Sequence, residues 1–108
     1  MAQFDVYKIT GRNSQAVPYV VAVQSARFDR LPTGVVIPFV PSRQNRGVFD
    51  DDLAPSFSME GIDVTLAPWQ IFTIPVSALG PVVASLAGDK TSARIIRGID
   101  ELISQAYG

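Results

Sequence analysis

Two short apolar runs, residues 19–23 (YVVAV) and 35–40 (VVIPFV), constrain the fold of this chain more than any other feature. Runs of this length, rich in Val, Ile and aromatic residues and bounded by Gly, Pro, Ser and Asp, form buried strands. The first closes at Gln24-Ser25 and the second is interrupted by Pro38. Proline has no amide hydrogen to give to a sheet ladder, so Pro38 is expected at a strand end, an edge or a bulge. The pair predicts the centre of a small, strongly twisted sheet.

Composition narrows the chemistry. The chain has 108 residues and is 47% hydrophobic, which is enough for one domain, residues 1–108, around a single core. Nine basic and ten acidic residues leave a formal charge of −1. With no basic excess to neutralise phosphates, direct nucleic-acid binding is not expected. Cysteine and histidine are both absent. That removes disulfides, the usual zinc sites, and the Ser-His-Asp and Cys-His nucleophiles. No cofactor and no metal are expected, and any catalysis falls to Asp, Glu, Arg, Lys, Ser, Thr or Tyr. Residues 1–5 lack the features of a signal peptide, and no run of about 18 apolar residues occurs. The expectation is a cytoplasmic protein with no membrane span.

Along the chain, residues 4–10 alternate as a first strand with both faces partly apolar, and Gly11-Arg12-Asn13-Ser14 turns into the strand that starts near Pro18. Residues 41–56 change character, with Arg43 and Arg46 followed by the acidic run Asp50-Asp51-Asp52. This reads as one long surface loop, either a solvated connection or a partner-binding segment. Three consecutive carboxylates lack the spacing of a calcium-binding loop. A hairpin is expected around Gly61-Ile62-Asp63, then a strand over 70–76 ending at Pro75, with Trp69 before it as a core or interface anchor. Pro81, the apolar Val82, Val83 and Leu86, and Gly88 predict a short helix. A second helix, capped by Asp89 or Thr91, aligns Ile95, Ile96, Ile99, Leu102, Ile103 and Ala106 in one apolar stripe lying on the sheet. Gly98 inside it costs about 1 kcal/mol relative to alanine, which points to close packing. Arg94, Arg97, Asp100 and Glu101 fall on its wetter face. The architecture is mainly β, a strongly bent sheet or partly open barrel followed by a C-terminal α-helix.

With the segments placed, the chain resembles the CcdB family of toxins from bacterial type II toxin–antitoxin modules. The words that carry the likeness are Gln3-Phe4-Asp5-Val6-Tyr7, residues 19–25 with Val23-Gln24-Ser25, Val35-Val36-Ile37-Pro38, Pro55-Ser56-Phe57 with Gly61, residues 74–80 (IPVSALG), and Ile99-Asp100-Glu101-Leu102-Ile103. Their order holds across about 100 residues. The resemblance implies an SH3-like barrel of the CcdB/MazF (plasmid maintenance toxin) type, a homodimer, and a CcdA-like antitoxin whose disordered tail folds over the toxin. It also implies a target, the DNA gyrase A subunit, trapped on cleaved DNA by a protein inhibitor of the topoisomerase rather than by an enzyme. The antitoxin contacts are open, with Arg43 and Arg46 as candidates.

Target contacts implied by the resemblance fall at the C-terminus. Gyrase-poisoning members end in an aromatic or small residue, glycine and isoleucine, which insert at the gyrase dimer. With Ile99-Asp100 in register, Ser104, Gln105 and Ala106 occupy that place and Tyr107 and Gly108 overhang. With Tyr107-Gly108 taken as the aromatic–glycine pair, the helix is about one turn longer and the isoleucine is missing. Either way the tip has changed, leaving gyrase, topoisomerase IV or a non-toxic homologue with altered target open. Tyr107 is the contact to expect if poisoning survives, since stacking on an arginine contributes roughly 0.5–2 kcal/mol; a frayed terminal tyrosine is the other reading. Val20, Ala22 and Trp69 are the expected two-fold interface. The alternative is a MazF-like mRNA endoribonuclease, with Arg27, Arg30, Arg43 and Arg46 stabilising phosphate charge.

Overall fold

The computed structural model describes residues 1–11, 14–44 and 53–104. Among the described residues, seven strands, β1 (Asp5–Ile9), β2 (Tyr19–Ala22), β3 (Thr33–Pro41), β4 (Ser56–Met59), β5 (Ile62–Leu66), β6 (Phe72–Pro75) and β7 (Leu79–Ser85), precede one α-helix, α1 (Asp89–Ser104). They form a single antiparallel sheet in the order β4-β5-β3-β2-β1-β7, with β6 added to β3, curled into a half-barrel. The mainly β architecture with a C-terminal helix is the one expected.

β3 organises this sheet. One edge pairs with β2, from Ala22↔Val36 to Tyr19↔Phe39. The other edge is shared: β6 covers Thr33 to Val36, and β5 covers Phe39 to Pro41. Pro38 sits in the gap between those two ladders, inside a nine-residue strand rather than at an end. Its carbonyl accepts from Ala67 N–H at 3.0 Å. The N–H and C=O of a strand residue face the same edge, so the donor that proline lacks falls where β6 has stopped and β5 has not begun.

Side chains alternate between two cores, as a period of two requires. Val6, Tyr19, Val21, Ile37 and Phe39 point to one, with Met59, Val64, Leu66 and Ile95. Ile9, Val20 and Val36 point to the other, with Ile74, Met1 and Leu79 packed on it. A strand buried on both faces reads as a continuous apolar run, which is why residues 19–22 carry no polar position.

β4 and β5 are joined by a two-residue turn, Glu60-Gly61, with φ of 51° and 79°. Positive φ at both central positions suits the right-handed twist of a hairpin. Glu60 is fixed there by the Tyr19 hydroxyl, which donates to its Oε1 at 2.6 Å, and by Lys8 Nζ at 3.5 Å. Burial, then the hydrogen bond to Glu60 and its negative charge, pushes the Tyr19 hydroxyl up to about 12. The same bond holds the Glu60 carboxyl below its ordinary value.

The short helix expected at residues 81–88 is instead β7. Tyr7↔Val82, Val6↔Ala84 and Asp5↔Ser85 pair it with β1. A β-branched segment beside an open sheet edge gains a ladder that an isolated turn of helix cannot offer. Pro81 is tolerated because β7 is an edge strand. Gly80 permits the close approach at the register shift, since a Cβ there would lie 2.6 Å from the Lys8 carbonyl oxygen.

α1 docks by a narrower stripe than expected. Ile95 is buried in the first core, and Ile99 packs at its margin. Gly98 is buried against the turn Pro68–Gln70, where Trp69 is half-buried; an added Cβ would lie 3.0 Å from Pro68 Cγ. Ile96, Leu102 and Ile103 are 43%, 44% and 69% exposed. At about 100° per residue, Ile96 and Ile103 lie roughly a quarter-turn from Ile95, whereas Leu102 is in line with it but further along. The flank and the far end of the helix therefore leave the core. Val20 and Ala22 are each 0% exposed within one chain, which corrects their expected role at a two-fold interface.

Two outcomes follow from this packing. Gly98→Ala should give no net gain in urea unfolding, because the contact with Pro68 offsets about 1 kcal/mol of helix propensity, and Gly98→Leu should lose about 1–3 kcal/mol. Tyr19→Phe should cost about 1–2 kcal/mol at neutral pH. The folded state holds the tyrosine proton more tightly than the unfolded chain, so wild-type stability should fall as pH rises from 10 toward about 12. The phenylalanine variant should lack that component in pH-dependent urea unfolding.

Candidate protein-binding surface

Between β2 and β3 the chain makes a short 3-10 turn, Ala26–Phe28, capped by Ser25 Oγ, which accepts from Arg27 N–H at 3.2 Å. Phe28 N–H reaches the Ser25 carbonyl, Asp29 N–H that of Ala26, and Leu31 N–H that of Phe28, at 3.0–3.1 Å. With its backbone bonded locally, this segment turns Phe28 and Leu31 outward, 53% and 50% exposed. Both line a groove of about 420 Å³ with Val23, Val35, Ile71 and Ile99 on its floor and walls, and with Gln24 and Ser25 at its polar side. Arg27 and Arg30 are exposed on the same segment.

Ile99 connects the groove to α1. Leu102 follows it three residues on, the spacing of one helix face, and Ile96 and Ile103 run down the adjacent flank. Large apolar side chains left outside the core in this concentration mark an interaction surface.

The expected target-contact residues lie at the end of this helix. Ser104 is the last residue of α1; Gln105, Ala106, Tyr107 and Gly108 lie outside the described residues. Among the arginines, Arg27 and Arg30 precede β3, while Arg43 follows it, exposed in the turn Ser42–Gln44. A nine-residue strand spans roughly 30 Å, so these cations are not brought together. Arg46 lies outside the described residues, as do Asp50, Asp51 and Asp52. Among the described residues no group of three or more Asp or Glu side chains converges on a metal position, and no helix is long and apolar enough to cross a membrane.

At the opposite end of β3, Thr65 is buried and donates to Ser42 Oγ at 3.0 Å, with Ser56 Oγ 3.2 Å away. Ser42 and Arg43 line an open cleft of about 760 Å³ with Ser14 and Asp63. Ile62, 49% exposed, also faces it.

The described residues form a curled antiparallel half-barrel, filled on both faces and bearing a C-terminal helix with an apolar outer surface. The family model described as CcdB protein matches residues 3–104. The chain belongs to the CcdB family, a family of toxins from toxin–antitoxin modules. Residues 105–108 fall outside the match. No curated protein matches the chain.

Phe28 and Leu31 did not stand out from the sequence as site residues, although two apolar residues three apart in the polar stretch 25–33 were a signal for them. Their exposure separates binding from stability. Phe28→Ser should change the unfolding free energy by no more than about 0.5 kcal/mol, whereas Phe39→Ala, in the core, should cost about 3–5 kcal/mol. Urea denaturation of both variants checks this.

Proposed function

We propose that this chain is the toxin of a type II toxin–antitoxin pair that binds the DNA gyrase A subunit and poisons it on cleaved DNA, without turnover of its own. The observation that carries the reading is the apolar groove that Phe28 and Leu31 form with Ile99 of α1, in a member of the CcdB family. The target contacts are Ser104, the last residue of α1, and Gln105, Ala106, Tyr107 and Gly108 after it in the sequence. A CcdA-like antitoxin neutralises the toxin, with Arg43 and Arg46 as its contacts. The protein works in the bacterial cytoplasm as a homodimer. Since Val20 and Ala22 serve their own chain's core, the Ile96 and Ile103 flank of α1 is the surface offered to the second copy. A two-fold contact presents the same patch from each subunit.

Inducible expression in bacteria tests this reading. The expected outcome is growth arrest with gyrase-linked DNA breaks, relieved by deleting Tyr107-Gly108. Arrest that survives the deletion rules out the terminal contacts, and expression without arrest or breaks rules out the poison. Light scattering at micromolar concentration should give a dimer for the wild type and a monomer for Ile103→Asp.

A second reading rests on Ser42 and Arg43, which line the open cleft, with the Ser42 hydroxyl held from behind by the buried Thr65. Hydroxyls and a guanidinium can hold a phosphodiester and stabilise charge on it, as a MazF-like mRNA endoribonuclease requires. Incubation with long RNA decides it: sequence-specific cleavage favours the enzyme, and intact RNA eliminates it.

A further inference from the structure

Gln24 follows β2, is half-buried, and lines the groove that Phe28 and Leu31 border. Its amide nitrogen donates to the carbonyls of Phe28, at 3.2 Å, and Thr33, at 3.4 Å. Its amide oxygen accepts from Val35 N–H at 3.2 Å. A primary amide has two donor hydrogens and one acceptor oxygen, and all three capacities meet backbone. The backbone bonds within residues 25–31 close the turn on itself. The Gln24 side chain ties that turn to the start of β3, reaching Phe28 on one side and Thr33 and Val35 on the other.

We infer that Gln24 is the positioning residue of this surface: its amide fixes the 26–31 turn against β3, so that Phe28 and Leu31 flank the groove beside Ile99. The inference rests on the reading of the groove as the binding surface. One of the three bonds holds the turn at Phe28 and two hold the side chain on β3; the turn contributes no residue to either core, so losing them loosens it while the sheet stands. Methionine fills the same length but makes none of the three bonds. Glutamate keeps an acceptor for Val35 N–H but, when ionised, sets a carboxylate oxygen against the Phe28 and Thr33 carbonyl oxygens. Protonated glutamate regains a donor.

Amide exchange and chemical shifts of nitrogen-15-labelled wild type, Gln24→Met and Gln24→Glu test the inference without reference to toxicity. In Gln24→Met, exchange at Asp29 and Leu31 should rise at least tenfold while Val21 and Ile37 keep their protection. In Gln24→Glu, the amide shifts of residues 28–31 should depart from wild type at pH 7 and return toward it below about pH 4; Gln24→Met should show no such return. A turn that exchanges at the wild-type rate in Gln24→Met, or a glutamate variant unresponsive to acid, overturns the positioning role. At equal soluble protein, growth arrest should weaken in both Gln24→Met and Phe28→Ser. Arrest unchanged in Phe28→Ser overturns the groove as the binding surface and leaves the exchange result standing. Arrest lost in Phe28→Ser but kept in Gln24→Met overturns the positioning role alone.

Discussion

The ladder from Tyr19↔Phe39 to Ala22↔Val36 joins the two most apolar strands through residues that are all almost fully buried. Because consecutive side chains point to opposite faces, this one pairing demands cover on both sides of the sheet at once. Strand β5, the β4 hairpin and Ile95 of α1 meet the demand on the first face. Met1, Ile9, Ile74 and Leu79 meet it on the second. β3 is also paired on both edges, and it can hold β5 and β6 in succession only because Pro38 stands where neither needs its amide. The curl of the sheet, the place of the helix and the position of the proline share this origin.

Much of that was legible in residue order. Runs of Val and Ile gave β2 and β3, and the spacing of Ile95 and Ile99 gave α1; the stretch around Gly61-Ile62-Asp63 gave the hairpin, although its turn is Glu60-Gly61 and Ile62 and Asp63 belong to β5. The misreading at residues 81–88 has a specific cause. Proline and glycine punctuate helices and edge strands alike, and only the open edge of β1, some seventy-five residues earlier in the sequence, decides between them. Helical periodicity likewise counts apolar positions without knowing where the sheet below ends: Ile96 and Ile103 stand off the buried stripe, and Leu102 continues it past the core. Val20 and Ala22 looked like spare apolar surface because the residues that cover the second face, Met1 and Ile74 among them, lie far away in the chain.

The binding surface was less legible than the fold. Phe28 and Leu31 sit in a stretch whose composition, with two arginines, an aspartate and a proline, reads as a solvated connection. Their meaning depends on Ile99 arriving beside them from the last helix. Gln24 was visible as part of a family word and as the end of a strand. That it anchors three backbone groups was not, because a glutamine's partners are set by the path of the following turn.

The sheet is filled on both faces. Two polar clusters, Glu60 with Tyr19 and Lys8 at one hairpin and Thr65 with Ser42 and Ser56 at the end of β3, bond among themselves. Among the large apolar side chains left exposed are Phe28 and Leu31 in the turn after β2 and Ile96, Leu102 and Ile103 on the outward side of α1. Those segments have few packing partners, so their shape must come from local bonds. Ser25 caps the turn, Gln24 ties it to β3, and the close fit of Gly98 on Pro68 sets the helix's distance from the sheet. The protein's activity should respond to small changes in those few polar anchors, while its stability responds to the ladder beneath them.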